Sequence, residues 1–342
     1  MLTLHVDAAA WRAHHRHVLD ECPGLVPVAK GNGYGFGNGI LADEATRLGL
    51  DTIAVGVARE VSDVRSAGWS GTVVVLNPWR PGDDVATGHL TDPQVVTTVS
   101  RAEDLAALST LAPGTAVLVE VATSMLRHGI PADEVAALDL SRLDVRGWTV
   151  HLPAHGSAEE ARRLAAAITA HPAGAAGIWF SHLRFTDHRA LAAELGVPTR
   201  MRVGTRLWLG AREAYWATGR VLDVHRVAKG TRVGYHGARI PADGHLVVVS
   251  GGTAHGVALA APATAHSFRQ RLIPLAEAVD EVRGRVTSPF TIAGRKRPFA
   301  EPPHMHSSLV FVPGAEPPVA VGDDVPVTVR MTTTTFDEVT LD

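Results

Sequence analysis

Apolar positions in the first two hundred residues fall into eight short runs separated by amphipathic stretches. The runs cover 25–30 (Leu-Val-Pro-Val-Ala-Lys), 52–57, 72–76, 94–99, 116–121 (Ala-Val-Leu-Val-Glu-Val), 145–151, 177–182 and 200–204. They are rich in β-branched residues and nearly continuous in apolar character, as strands buried on both faces are. Helical periodicity fills several of the gaps, at 38–49, 58–67, 101–111 and 157–170, the last with a Ser-Ala-Glu-Glu start suited to capping. A further helix is expected over 8–20, with Asp7 placed to cap it. Strand–helix alternation with short links implies right-handed βαβ units and a parallel sheet. Eight repeats predict closure into a TIM-like (β/α)8 barrel. The rival, a doubly wound sheet, lacks support because no G-x-G-x-x-G follows the first strand.

The rhythm changes after about residue 215. Segments 220–228, 231–236, 245–250, 255–260, 289–293 and 307–312 read as strands between Gly, Pro and Asp turns, with a helix expected only over 268–280. The threonine run 332–335 reads as a last strand or its tail. The fold class is therefore α/β, with a barrel over 8–214 and a mostly-β domain over 215–342 that also takes in strand 1–7.

Composition narrows the function. Apolar residues make up 46% and charged residues 20%, an ordinary soluble mix. A net charge of −3 and scattered basic residues offer nucleic acid or membrane surfaces no attraction. No run reaches the roughly 18 apolar residues of a membrane span, and the alternating N-terminus lacks the pattern of a secretory signal. A single cysteine, Cys22, cannot form an internal disulfide and supplies too few soft ligands for a zinc site. A cytoplasmic protein is expected.

The basic residues are mostly arginine: of 32 Lys plus Arg, only Lys30, Lys229 and Lys296 are lysines. Arginine holds its charge too firmly to act as an amine nucleophile, whereas lysine can lose its proton and attack a carbonyl. Lys30 ends an apolar strand, which points to a need for the amine, although general depletion of lysine would leave the same remnant. In a barrel the chemistry sits at the C-terminal strand ends. There the sequence places Lys30 and Tyr34, Arg127, His151, Ser181, and Arg202 with Gly204 and Thr205. Neighbouring cations and partial burial would depress a lysine pKa enough for Schiff-base chemistry. Gly204, Thr205 and Ser181 suit a cofactor phosphate, which barrels often hold after strands seven and eight.

These segments also resemble a known family. Val28-Ala29-Lys30-Gly31-Asn32-Gly33-Tyr34-Gly35 resembles the V-V-K-A-N-A-Y-G-H-G signature of bacterial alanine racemases. Arg127 in Ser-Met-Leu-Arg-His-Gly, His151 in Arg-Gly-Trp-Thr-Val-His, and Arg202-Val203-Gly204 before Leu207-Trp208-Leu209-Gly210 match further motifs in the same order. The start of the β domain is matched at Lys229-Gly230 through Val233-Gly234-Tyr235, and His304-Met305-His306 falls where the family has C-M-D. The resemblance implies a pyridoxal 5′-phosphate (PLP) barrel, a C-terminal β domain, a small amino-acid substrate, and a homodimer with active sites shared across its interface. By the same resemblance, Lys30 would carry the cofactor, and Tyr34, Ser181, Gly204 and Thr205 would hold its phosphate. His151 would flank its ring, and Arg202 would face the pyridine nitrogen. Arg127 would position the phenolic oxygen and the substrate carboxylate, with Met305 and His306 on the substrate side.

The departures concern mechanism. The family's G-Y-A-D-G, whose tyrosine is the second acid/base, is here Gly252-Thr253-Ala254-His255-Gly256. Thr253 takes the tyrosine position, and its hydroxyl is too weak an acid for the task. His255 takes the aspartate position, His306 replaces a second aspartate, and the family's R-x-P-x-x-Y is missing. The catalytic candidates are therefore Lys30, Thr253 and His255, with His306 or Tyr235 as other substitutes, since histidine titrates in the useful range. His255, His304 and His306 also invite a metal reading, but no carboxylate pair accompanies them and no metal is expected. The reading adopted is an amino-acid racemase of the alanine-racemase class with an altered second base. The alternatives are a PLP-dependent decarboxylase or lyase on the same scaffold, a non-catalytic PLP-binding protein, and a barrel enzyme without PLP.

Overall fold

Strand and helix follow each other through the first two thirds of the chain. A computed structural model describes residues 1–154, 156–259 and 286–342. After β1 (Leu2–Val6) come α1 (Ala8–Glu21), β2 (Leu25–Pro27), α2 (Asn38–Arg47), β3 (Thr52–Val55), α3 (Glu60–Ser66), β4 (Thr72–Val75), α4 (Asp84–Gly88), β5 (Val95–Val99) and α5 (Ala102–Leu111). The series continues with β6 (Ala116–Val121), β7 (Asp144–His151), α6 (Ala158–Thr169), β8 (Ile178–Ser181), α7 (Phe185–Leu195), β9 (Thr199–Val203) and α8 (Thr205–Leu209). All eight expected barrel strands are present. The chain divides into two compact units, Arg12–Ala211 and Met1–Trp11 with Arg212–Asp342.

In the first unit the parallel sheet runs β2-β9-β8-β7-β6-β5-β4-β3. A parallel bridge between Val28 and Ala54, with Ala29 N–H donating to Ala54 O at 2.8 Å, joins its two ends and closes the barrel. Side chains alternate along each strand, so every second residue enters the lumen. Val26, Val28, Ala54, Val74, Val96, Leu118 and Trp179 meet there as one buried cluster. The helices outside are shorter than an ideal barrel would have. α4 spans five residues, and between β6 and β7 the helical structure is a single 3-10 turn, Val135–Ala137. Local caps match the sequence: Asp7 accepts from Ala10 N–H at 2.9 Å, and Ser157 accepts from Glu159 and Glu160 N–H.

The second unit is a β structure. It contains β10 (Tyr215–Val227), the two-residue strands β11 (Arg232–Val233) and β12 (Ala238–Arg239), β13 (Gly244–Ser250), β14 (Thr287–Ile292), β15 (Arg295–Pro298), β16 (Ser307–Pro313), β17 (Asp324–Val327) and β18 (Glu338–Leu341). β10 is long enough to serve two sets of partners. Residues 215–220 pair with β1 and β17; beyond a register shift between Val221 and Asp223, the strand pairs with β13. β1 is thus a strand of this unit, also paired in parallel with β18. Phe290, Val247, Val249, Val310 and Leu2 centre its core.

Two expectations fail here. Residues 255–259 are not a strand, because Thr253–His255 forms a 3-10 turn flanked by left-handed Gly251 and Gly256. The threonine run is a turn before β18 rather than part of it. The helix expected over 268–280 lies outside the described residues. Leu118 is fully buried in the lumen, so Leu118→Ala is expected to cost about 2–5 kcal/mol. The check is the urea midpoint of the purified protein; an unchanged midpoint contradicts a packed lumen.

Candidate active site

The alternation that packs the lumen continues into its C-terminal mouth. Two residues above Val28 stands Lys30, two above Ala54 is Gly56, two above Leu118 is Glu120, and two above Trp179 is Ser181. Cross-strand register sets His151 beside Ser181 and Arg202 beside Val26. An apolar plug thus turns polar within one residue pair per strand, which gathers chemistry from the ends of several strands.

The Lys30 stem passes over Gly56, where an added Cβ would lie 3.0 Å from Lys30 Cβ and 3.0 Å from Glu60 Oε2. Glu60 is buried and accepts three backbone hydrogen bonds: Gly31 N–H at 2.8 Å on Oε1, with Gly56 N–H at 2.7 Å and Val57 N–H at 3.1 Å on Oε2. This carboxylate ties the loop after Lys30 to the end of β3. Burial, then the Arg127 and Arg202 charges, hold the Lys30 amine below its ordinary pKa, with Glu60 opposing.

Tyr34 is buried in a left-handed conformation, φ 55°, and its hydroxyl bonds to Thr205. Burial pushes the phenol up to about 12, so it stays neutral. A Cβ at position 204 would sit 2.0 Å from the Tyr34 hydroxyl, so Gly204 is the residue that makes this approach possible. Tyr34, Gly204 and Thr205 are brought together as expected. Tyr34, Leu126 (φ 51°) and His182 (φ 63°) are all non-glycine residues with left-handed backbones, and all lie in loops at the mouth. Such strain persists where the surroundings over-determine it and concentrates at functional sites.

Arg202 is buried. Its Nη2 donates to Ser181 Oγ at 3.1 Å and to Val150 O at 3.4 Å, while its Nε is buried without a partner among the described residues. Burial lowers even this guanidinium to about 10. Ser181 Oγ lies 3.2 Å from His151 Nδ1. Ser181 is therefore enclosed between His151 and Arg202, with its hydroxyl engaged with both. His151 is pushed down to about 2 by burial first and by Arg202, Arg127, His182 and Lys30 next. His182, whose ring meets His151 edge-on at 5.1 Å, is lowered by the same surroundings.

Glu120 is the acid in this cationic cluster. It is buried, burial raises its pKa against the pull of Arg202 and Arg127, and its Oε2 has no partner among the described residues. Arg127 Nη2 lies 4.0 Å from Glu120 Oε1, with the Arg127 side chain 45% exposed. Sequence reasoning missed Glu60, Glu120 and His182. The inward alternation Ala116-Leu118-Glu120 was a usable signal for Glu120; Glu60 had none.

In the β unit, Thr253, His255, Met305 and His306 also come together. Thr253 N–H donates to His304 O, and Ala254 N–H to Met305 O, both at 2.9 Å. Thr253, Met305 and His306 are exposed. His255 has both ring nitrogens engaged. It is buried, its Nδ1 accepts from Gly252 N–H at 3.2 Å, and its Nε2 lies 3.0 Å from Asp337 Oδ1. Asp337 also accepts from Leu2 N–H, so His255 braces the turn to β1. Among the described residues no three His, Cys, Asp or Glu side chains are placed to share a metal ion.

Residues 6–171 match the alanine racemase N-terminal domain family. An alanine racemase of Desulfovibrio desulfuricans is 30% identical over 167 residues, covering 46% of this chain and 44% of that protein. One from Geobacter sp. is 30% identical over 139 residues, covering 38% and 36%. These matched stretches span less than half the length of either relative. The fold is also that of a solved Enterococcus faecalis alanine racemase (TM-score 0.67, 20% identity, 95% of this chain and 88% of that one). A Bartonella henselae alanine racemase with covalently bound pyridoxal phosphate matches with TM-score 0.69 and 16% identity over 98% of both chains.

His151, neutral when folded, takes up a proton on unfolding at acid pH, so its contribution to stability is lost as pH falls below about 6.5. In His151→Gln the decline of the urea midpoint between about pH 6 and 4 should be shallower than in the parent. Equal slopes would mean that His151 is protonated in the folded protein.

Proposed function

We propose that the protein, whose residues 6–171 match the alanine racemase N-terminal domain family, is a PLP-dependent amino-acid racemase acting on alanine or a similarly small α-amino acid. The observation that carries this reading is Lys30, a lysine of depressed pKa at a barrel mouth among Arg127, Arg202 and a neutral His151. When bound, the cofactor supplies an electron sink for the charge that develops as the α-proton leaves.

The residues present fit that group. The orphaned Nε of buried Arg202 is a hydrogen-bond donor suited to a ring nitrogen. A guanidinium keeps its proton even when lowered to about 10, so it would hold the ring without protonating it. Tyr34, Gly204 and Thr205 form the proposed phosphate cradle, and Lys30 the attachment point. His151, held neutral, adds no charge to a mouth already rich in cations. Arg127, half exposed and loosely paired with Glu120, is placed to take the substrate carboxylate.

Lys30 handles the α-proton on one face of the substrate: its neutral amine accepts the proton, and its ammonium returns one in the opposite direction. Its depressed basicity brings the neutral amine closer to hand than in an ordinary lysine. Glu60 keeps the amine in register by fixing the backbone on both sides of the mouth. The proposed assembly is a homodimer in which the exposed Thr253, Met305 and His306 of one copy complete the site of the other. The cytoplasm is the proposed compartment, in keeping with a lone buried cysteine.

Purified protein mixed with PLP should gain a visible absorption band that borohydride bleaches, and Lys30→Ala should lose it. In D₂O the parent should wash deuterium into Cα of alanine and invert its chirality. A parent without the band removes the cofactor; a band with decarboxylation, and no α-exchange with inversion, removes the racemase.

A further inference from the structure

Racemisation needs a proton-handling group on each face of the substrate, and Lys30 serves one. Thr253 stands where the family has its phenol but cannot replace it, and His255 has both ring nitrogens engaged. The β unit nevertheless holds an oriented imidazole on His304, whose backbone carbonyl accepts from Thr253 N–H. His304 Nε2 lies 2.6 Å from Glu301 Oε1, and the Glu301 side chain is fully enclosed. Glu301 accepts further bonds from Tyr235 N–H and His236 N–H, both at 3.1 Å. Its burial would raise its pKa, but the bonds from His304 and the two amides bring it below the ordinary carboxylate value, so it is ionised at neutral pH. Gly234, at φ 69°, has Glu301 where a side chain would go: an added Cβ would fall 1.8 Å from its carboxyl carbon.

The geometry points to His304, oriented by Glu301 and covered by Tyr235, as the second proton-transferring residue of the reaction. This rests on the racemase reading above and deepens it. An ionised Glu301 beside Nε2 selects the tautomer with hydrogen on Nε2, which leaves Nδ1 with its lone pair, and 26% of the side chain remains exposed. The Tyr235 ring lies 4.5 Å from the imidazole at 45° while being 85% exposed itself, an aromatic held over the histidine rather than folded into a core. Glu301 ties residues 234–236 to its own turn through two amides without needing His304, so a brace alone does not explain the imidazole. Thr253 N–H bonded to His304 O holds the His304 backbone against that of Thr253, which stands at the family's phenol position. The ionisable groups placed against His304 are Glu301 and the Tyr235 phenol.

The proton count closes. In one direction the Lys30 amine takes the α-proton while an imidazolium at His304 delivers one from Nδ1 to the opposite face. In the other direction neutral His304 accepts and the Lys30 ammonium delivers. After each turnover, exchange with water moves one proton back between the two groups.

The test uses full-length protein with PLP and alanine in D₂O. His304→Gln should lower inversion at least about a hundredfold. It should still wash deuterium into one enantiomer with retention, because Lys30 keeps its face. In His304→Ala, added imidazole should restore inversion. Should His304→Gln fail to fold, Glu301→Gln gives the second reading: inversion falls while exchange with retention persists. In the cofactor-free protein, ¹⁵N spectra should show His304 with hydrogen on Nε2 and a bare Nδ1. Inversion by a folded His304→Gln within about threefold of the parent overturns the assignment, as does hydrogen on Nδ1 with bare Nε2. Either result leaves the racemase reading standing. A parent that neither gains the visible band nor exchanges the α-proton overturns both.

Discussion

A guanidinium buried at the top of the barrel sets the electrostatics of the mouth around it. Arg202 sits where the inward alternation of β9 ends, with Ser181 and Val150 as acceptors and its Nε unsatisfied. Burying such a charge is costly unless it is paired, and Glu120 supplies the opposite sign from β6. Lys30, His151 and His182, which share the mouth, then lose affinity for protons. Burial acts first on Lys30 and His151, and the charges of Arg127 and Arg202 act next on both, with Arg202 ahead of Arg127 for His151. A lysine that must give up its proton and a histidine that must not take one are two consequences of one arrangement.

Much of this was readable from the chain because barrel architecture translates sequence spacing into position. Eight apolar runs identified the strands, and the residue after each run identified the mouth. Lys30, His151 and Arg202 needed nothing more. Glu120 obeys the same alternation but stands within an apolar run, where it was read as part of a strand rather than as its chemistry. Glu60 opens a helix, and nothing in its neighbours announces that its carboxylate turns back onto Gly31, Gly56 and Val57. Ser181 was located from the sequence, but its neighbours were not. Its residue type suits phosphate, yet a hydroxyl between an imidazole and a guanidinium is satisfied where it stands.

The β unit was harder to read for a physical reason. Its strands meet through hairpins and turns, so side chains that cooperate come from turns distant in sequence. His255 offered a histidine at a position of interest, but its partners, Gly252 and Asp337, are 3 and 82 residues away. Those contacts convert a titratable side chain into a cap and an anchor. His304 shows the opposite outcome. One nitrogen faces a carboxylate, while part of the ring stays open to solvent. Residue identity alone does not separate a histidine that holds a turn from one that can move a proton; the number of nitrogens already engaged does.

Charge balance shapes what the barrel mouth can hold. An amino acid brings a carboxylate, and the proposed cofactor brings a phosphate, so the mouth must favour anions. Arg127, Arg202 and Lys30 outnumber the carboxylates Glu120 and Glu60 there and give it that bias. The same bias works against a histidine that must become cationic inside the mouth, as the lowered pKa of both His151 and His182 shows. A second proton carrier built from histidine therefore needs its own carboxylate. Glu301 provides one beside His304, where the proposed cycle needs an imidazole charged in one half and neutral in the other.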